Sequence, residues 1–512
     1  MQIERTSGIL LHPTSLPGPF GIGELGEEAY HFLDFLADSK QHLWQVLPLG
    51  PTGYADSPYA SFSSFAGNHL LISLRQLAKD GLLEEQALQK TPAFPSTSAE
   101  YGTVIAFKMP LLWQSFETFR AHATPEQQKS YDQFRLNNQR WLDDYALFMA
   151  LKDEYHGAPW TQWASDIAAR KPEALFAWQE RLAPRIAFHT YLQYQFSTQW
   201  ANLKRSANAR GIQIVGDLPI FVAHDSTDVW AHPELFYLDE AGAPTVISGV
   251  PPDYFSVTGQ RWGNPLYRWD RLAATGYAWW IDRFRAALGL VDLLRLDHFR
   301  GFQAYWEIPG DEETAINGRW VPGPGAELFN ALQEALGEVP VIAEDLGVIT
   351  PDVVALRTQF GFPSMRVLQF GFSSDARNEH LAHNFERQTL VYTGTHDNDT
   401  TVGWYQTRSP LEQNTVREYL ATDGSNVSLD LIRLAFSSVA ELAIVPLQDV
   451  LALGSEARMN MPGRAAGNWA WRYQADMLKD WQSDWLAHIT RMYNRIPPTE
   501  PMHAEPTPGE GA

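Results

Sequence analysis

Arg295 and Asp297 stand two residues apart at the end of an apolar run, Val291–Leu296. On an extended strand that spacing puts both side chains on one face. A cation beside a carboxylate keeps it ionised, as a nucleophilic aspartate requires. Glu344 follows Val341, Ile342 and Ala343. A carboxyl in such partly apolar surroundings can hold its proton near neutrality and act as a general acid. Asp397, beside His396, is a third acid and could hold the hydroxyls of a distorted sugar. Two other readings of these residue types stay open. One is a structural ion pair with two solvated loop acids. The other is a Mg²⁺ site, since three acids on one rim also suit a hard cation.

These acids sit at the ends of short apolar runs bounded by turn residues, the pattern of strands buried on both faces. Eight such runs are present: Gly8–Leu11, Leu43–Leu47, Ile212–Gly216, Val291–Leu296, Val339–Ala343, Met365–Phe370, Leu390–Thr393 and Leu442–Leu447. Helical periodicity separates most of them. Phe188, Leu192, Phe196, Trp200 and Leu203 share one helix face, and Gly211 is a stop signal. Eight strands alternating with helices predict a (β/α)8 TIM barrel, with an open doubly wound sheet as the alternative. In a barrel the strand ends form one rim, and Asp217, Arg295, Asp297, Glu344, Asp345, His396 and Asp397 converge there.

About 160 residues separate the second run from the third, too many for a loop. Residues 51–210 are therefore expected to form an inserted, mostly helical subdomain, with helices near Met109–Ala121, Asp143–Tyr155 and Pro172–Arg181. The barrel takes residues 1–50 and 211–495. Val246–Tyr267 is rich in Gly, Pro and aromatics and reads as a loop at the barrel mouth, after the third strand. The Pro-, Glu- and Gly-rich tail, 496–512, is expected to be disordered. GIGELG, Gly21–Gly26, matches the dinucleotide fingerprint, but three prolines precede it and the next strand lacks the ribose-binding acid; a Gly-rich turn is the better reading.

Composition narrows the class. Of 512 residues 45% are hydrophobic and 19% charged, which suits a large folded core. The net charge of −21 argues against a nucleic-acid partner. With no cysteine there is no disulfide, thiolate metal site or thiol nucleophile. The first residues carry no signal-peptide pattern and no run is long enough to span a membrane, so a cytoplasmic protein without a membrane partner is expected. The sequons at Asn398 and Asn426 are then idle. Aromatic residues make up 13% of the chain; they serve either a large core or flat platforms for sugar rings.

RLDHFRG (Arg295–Gly301), IAEDLG (Ile342–Gly347) and GTHDND (Gly394–Asp399) occur in that order at the ends of the fourth, fifth and seventh runs. They resemble the α-amylase clan of retaining glycosidases. ADSPYASFSSFAGN (Ala55–Asn68), GDLPIFV (Gly216–Val222), PPDYFSVTGQRWGNPLY (Pro251–Tyr267) and RMNMPGRAAGNWAWR (Arg458–Arg472) make the chain similar to the amylomaltase family. These are the 4-α-glucanotransferases, or disproportionating enzymes, of glycoside hydrolase family 77. The similarity runs from about Gly8 to Tyr493.

The resemblance implies Asp297 as nucleophile, Glu344 as acid/base and Asp397 as transition-state stabiliser. It implies sugar binding by Asp217, Arg295, His298 and His396, and by Ser57, Tyr59, Asn468 and Trp469 at the rim. Tyr254, Phe255, Gln260, Trp262 and Asn264 would belong to a lid over the acceptor side. Tyr54 and Tyr101 match a secondary glucan site. The implied activity moves an α-1,4-glucan segment from starch or a maltooligosaccharide to the 4-hydroxyl of glucose or another glucan. No metal, cofactor or obligate protein partner is implied, and no C-terminal β-sandwich. Hydrolysis of α-glucans is the alternative activity.

Overall fold

The computed structural model describes residues 4–252, 256–464 and 466–497. Of the tail expected from residue 496, all but two residues lie outside that set. Twelve strands are present among the described residues: β1 (Thr6–Leu10), β2 (Leu43–Gln45), β3 (Gln213–Leu218), β4 (Val246–Val250), β5 (Gln260–Pro265), β6 (Leu293–Leu296), β7 (Ala304–Pro309), β8 (Arg319–Pro322), β9 (Val341–Ala343), β10 (Ser364–Val367), β11 (Thr389–Tyr392) and β12 (Leu442–Pro446). Eight form one sheet in the order β10-β11-β12-β1-β2-β3-β6-β9, with every pairing parallel. The two ends of that order meet: the Ala343 amide donates to the Pro363 carbonyl at 3.1 Å, and the Met365 amide to Asp345 Oδ1 at 2.7 Å. The sheet is thus a closed (β/α)8 barrel, not an open doubly wound sheet. These eight strands are the eight apolar runs of the sequence, buried on both faces by helices outside and side chains inside.

The helices follow local rules. Glu27–Asp38 buries Ala29, Phe32, Leu33 and Leu36, one stripe at helical spacing. Gly21–Gly26 leads into it as a tight turn. A Cβ at Gly23 would lie 1.9 Å from the Pro13 carbonyl, so that glycine is required by close approach of the backbone.

Between β2 and β3 run four longer helices: Tyr101–His122, Pro125–Glu154, Pro172–Arg181 and Ala183–Ala209. Thr124 and Gln127 form a reciprocal capping box, with Pro125 at the first helical position. Ala183–Ala209 also packs on the barrel, through Trp200 Nε1 to the Leu290 carbonyl at 2.8 Å. Gly211 has φ +72° and turns the chain into β3.

Val246–Tyr267, expected as a loop, contains two strands. β4 and β5 join β7 and β8 in an antiparallel sheet of order β5-β4-β7-β8. Its strands are half exposed, so they carry polar and apolar residues together and leave no apolar run to detect. After β12 the described chain has no further strand. Among the described residues no helix is long and apolar enough to cross a membrane.

Candidate active site

Strand register brings the acids together. Asp217 on β3 pairs with Arg295 on β6, and Leu296 on β6 pairs with Ala343 on β9. Asp297 and Glu344 are the next residues after that last pair. Adjacent strands lie ~4.8 Å apart, so the two acids leave the barrel as neighbours. Backbone bonds continue past the strands: Asp297 N to Leu218 O, Glu344 N to Leu296 O and Phe299 N to Glu344 O, each 3.0 Å.

Arg295 is the centre of the charge network. Its Nη1 lies 2.9 and 2.7 Å from the two oxygens of Asp217 and 2.9 Å from Asp297 Oδ1. Burial works against its charge, but Asp217 and Asp297 outweigh burial and hold its pKa well above the usual range. Glu344 is buried, and its oxygens accept from the backbone of His298 at 2.7 Å and Leu346 at 2.9 Å. Burial, with the charge of Asp297 added, pushes Glu344 up to about 8 against the opposing pull of Arg295. One acid is therefore ion-paired and its neighbour protonated at neutral pH. Most of these carboxylate oxygens already accept hydrogen bonds or an ion pair, so few lone pairs face one point as a hard cation requires. Among the described residues no group of three or more His, Asp or Glu side chains is arranged to hold a metal.

An aromatic wall stands beside the acids. Tyr59 stacks on His396 with centroids 5.1 Å apart and meets Trp469 at 5.8 Å. Its hydroxyl donates to Asp217 Oδ2 at 2.8 Å. His396 Nε2 lies 3.4 Å from Asp397 Oδ1. Burial pushes His396 down, and His298 down to about 4, so both rings are neutral near pH 7. His298 has φ +49°, a strained conformation outside glycine, and its buried Nε2 has no protein partner. Trp262 from β5 packs edge-on against that ring at 4.8 Å, with its Nε1 on Gln260 Oε1 at 3.2 Å.

Other residues singled out from the sequence have different surroundings. Ser57 Oγ accepts from the Tyr59 amide at 3.2 Å. Asn264 ties β5 to the Val222 carbonyl at 2.9 Å. The Asn468 amide closes its own loop, accepting from Met461 at 2.9 Å and donating to Arg464 at 2.8 Å. Tyr54 is 77% exposed, whereas Tyr101 is only 6% exposed and donates its hydroxyl to the Trp469 carbonyl at 3.0 Å. Of the two residues matched to a secondary glucan site, Tyr54 therefore has an open ring face, while Tyr101 is buried at the head of its helix. Tyr254 and Phe255 lie outside the described residues.

Two residues at the site escaped sequence reasoning. Asn460 Nδ2 donates to Asp397 Oδ1 at 2.6 Å. Arg458 donates to the Asp397 carbonyl and the Asn460 carbonyl, both at 2.6 Å. Both belong to the segment Arg458–Arg472, which carried the family resemblance as a whole without assigning a role to either residue.

Comparison with known proteins agrees with this geometry. The family model described as 4-alpha-glucanotransferase matches residues 11–478. A 4-alpha-glucanotransferase of Synechocystis is 54% identical over 496 residues, covering 96% of this chain and 98% of the relative. One from Thermus thermophilus is 55% identical over 480 residues, covering 92% and 95%. The amylomaltase from Streptococcus agalactiae, solved in complex with acarbose, superposes with a TM-score of 0.93 at 38% identity, covering 96% of this chain and all of that one. With the motifs, the barrel and the relatives in agreement, the chain belongs to the 4-alpha-glucanotransferase family of glycoside hydrolase family 77 and is an enzyme of that type.

Proposed function

We propose that Asp297 is the nucleophile, Glu344 the acid/base and Asp397 the transition-state stabiliser of a retaining α-1,4-glucan transfer. The observation that carries this reading is the contrast between two neighbouring acids: Asp297 bound to a cation, Glu344 buried and protonated up to about pH 8. Acids on adjacent strands suit the ~5–5.5 Å separation of retaining enzymes. Asp297 attacks C1 of a glucosyl unit as Glu344 delivers its proton to the leaving glycosidic oxygen. A covalent β-glucosyl-enzyme results. Glu344, now a carboxylate, takes the proton from an acceptor 4-hydroxyl; that oxygen displaces Asp297 and a new α-1,4 bond closes. Tyr59, His396, Trp469 and Asp217 line the donor side, and His298, Trp262 and Gln260 the acceptor side.

Water at ~55 M competes with the acceptor, so the acceptor must win by orientation, which reaches effective molarities of ~10⁵ M and above. The hairpin of β4 and β5 carries Trp262 to the site and supports that role as a lid. The acarbose complex of the Streptococcus agalactiae relative supports α-glucans, maltooligosaccharides and glucose as ligands here. A cytoplasmic location belongs to the same reading. Purified protein given maltotriose is the test. Transfer yields a ladder of shorter and longer chains with the number of reducing ends unchanged. A rise in reducing ends with each bond broken makes the protein a hydrolase, and unchanged maltotriose removes the proposal.

A further inference from the structure

We propose that Asn460 is a positioning residue for the transfer reaction, fixing one oxygen of Asp397 so that the other faces the hydroxyls of the reacting sugar. The inference rests on the role assigned above to Asp397.

Asp397 differs from its partners in exposure. Its side chain is 47% exposed, whereas those of Asp217 and Arg295 are almost wholly buried. An exposed aspartate samples several rotamers unless something holds it. Its backbone is held by the turn at Thr395, where Asn398 Oδ1 accepts from the Thr395 amide at 2.9 Å and hydroxyl at 2.8 Å. Its carboxylate is held by Asn460, at 2.6 Å on Oδ1. Oδ2 carries no hydrogen bond from the protein among the described residues.

Asn460 is itself fixed. Its amide donates to the His396 carbonyl at 3.1 Å, and Arg458 bridges its carbonyl to that of Asp397. Asp397, Asn460 and Arg458 thus form a closed ring of hydrogen bonds. It joins the loop after β11 to the loop that also carries Trp469. The donor type matters as well. A carboxamide orients the carboxylate through a charge-assisted bond without cancelling its charge. A lysine or arginine there would neutralise the anion that an oxocarbenium-like transition state needs. The Arg458 guanidinium is kept on backbone carbonyls.

The test uses the full chain with maltotriose and four variants: Asn460→Ala, Asn460→Asp, Asp397→Asn and the double variant Asn460→Ala/Asp397→Asn. Asn460→Ala is expected to lower kcat by ~10–100-fold, the usual cost of removing a supporting partner. KM should stay within about threefold, because the lost interaction acts in the transition state. Asn460→Asp, which sets two carboxylates together, should be slower still. The double variant should be no slower than Asp397→Asn alone, since Asn460 acts only through that carboxylate. Near-wild-type kcat in Asn460→Ala, or losses that multiply in the double variant, would overturn the proposal. If Asn460→Ala does not fold, Asn460→Gln keeps the amide but displaces it, and carries the same expectation and the same overturning result. Wild-type activity in Asp397→Asn would instead remove the assignment of Asp397, and is distinguished from the other outcomes by that single variant.

Discussion

Glu344 must hold a proton while the donor is bound and accept one when the acceptor attacks, so its environment has to favour the neutral form without making ionisation prohibitive. Burial and Asp297 push it up to about 8; Arg295 and two backbone amides pull the other way. The alkaline limb of kcat/KM is therefore expected near pH 8, and a limb near the ordinary glutamate value would contradict the assignment. Glu344→Gln should cost ~10²–10⁴-fold in turnover with the fold intact. Stability should respond oppositely. An unfolded glutamate titrates near ~4.3, so between that value and about 8 the native state binds the extra proton. The stabilising contribution is complete below ~4.3 and is lost as pH rises through about 8. Thermal melts of wild type and Glu344→Gln, compared from pH 5 to 9, should show the variant gaining on the wild type as pH rises. Parallel curves would mean that Glu344 is not buried as a neutral acid.

Strands and loops explain which of these residues could be read from the chain. The eight barrel strands were legible because burial on both faces demands short apolar runs, such as LAIVP at Leu442–Pro446. The strand-end acids followed, since a barrel exposes only its ends. The antiparallel sheet was not legible: β5 and β8 face water and carry Gln260, Arg261 and Arg319 among their aromatics. Asn460 was hidden for another reason. Its partner lies 63 residues away, and nothing local distinguishes an amide that holds a carboxylate from one that faces solvent. The same sheet yields a prediction about transfer. Trp262 reaches the site only because β5 is anchored to β4, where a Cβ at Gly249 would lie 2.2 Å from the Gln260 carbonyl. Trp262→Ala removes the ring that packs against His298 and opens the acceptor side to water. Reducing-end release per bond broken should rise several-fold over wild type while transfer slows. An unchanged ratio would show that the hairpin plays no part in excluding water.

At the scale of the whole molecule, the helices between β2 and β3 must stay fixed to the barrel, because Tyr59 and Ser57 lie in the same stretch of chain. One buried contact between the two is an ion pair. Lys108, fully buried on the helix Tyr101–His122, meets Glu24 from the loop before the first barrel helix and donates at 2.8 Å to the carbonyls of both Leu70 and Ile72. All three ammonium donors are used, which is what makes a buried lysine tolerable. Burial pushes Lys108 down and Glu24 up, and each partner's charge opposes that shift. Removing one partner is therefore worse than removing both. Lys108→Met strands a buried carboxyl and two carbonyls, and should lower unfolding stability by ~3–5 kcal/mol. Lys108→Met with Glu24→Leu should regain part of that loss but not all, since the carbonyls of Leu70 and Ile72 remain without donors. The deficit should be insensitive to added salt, unlike that of an exposed pair such as Arg140 with Asp282. Urea unfolding of the single and double variants at low and high salt reads all three expectations. A double variant no better than the single, or a deficit that salt erases, would show that the clamp between insertion and barrel lies elsewhere.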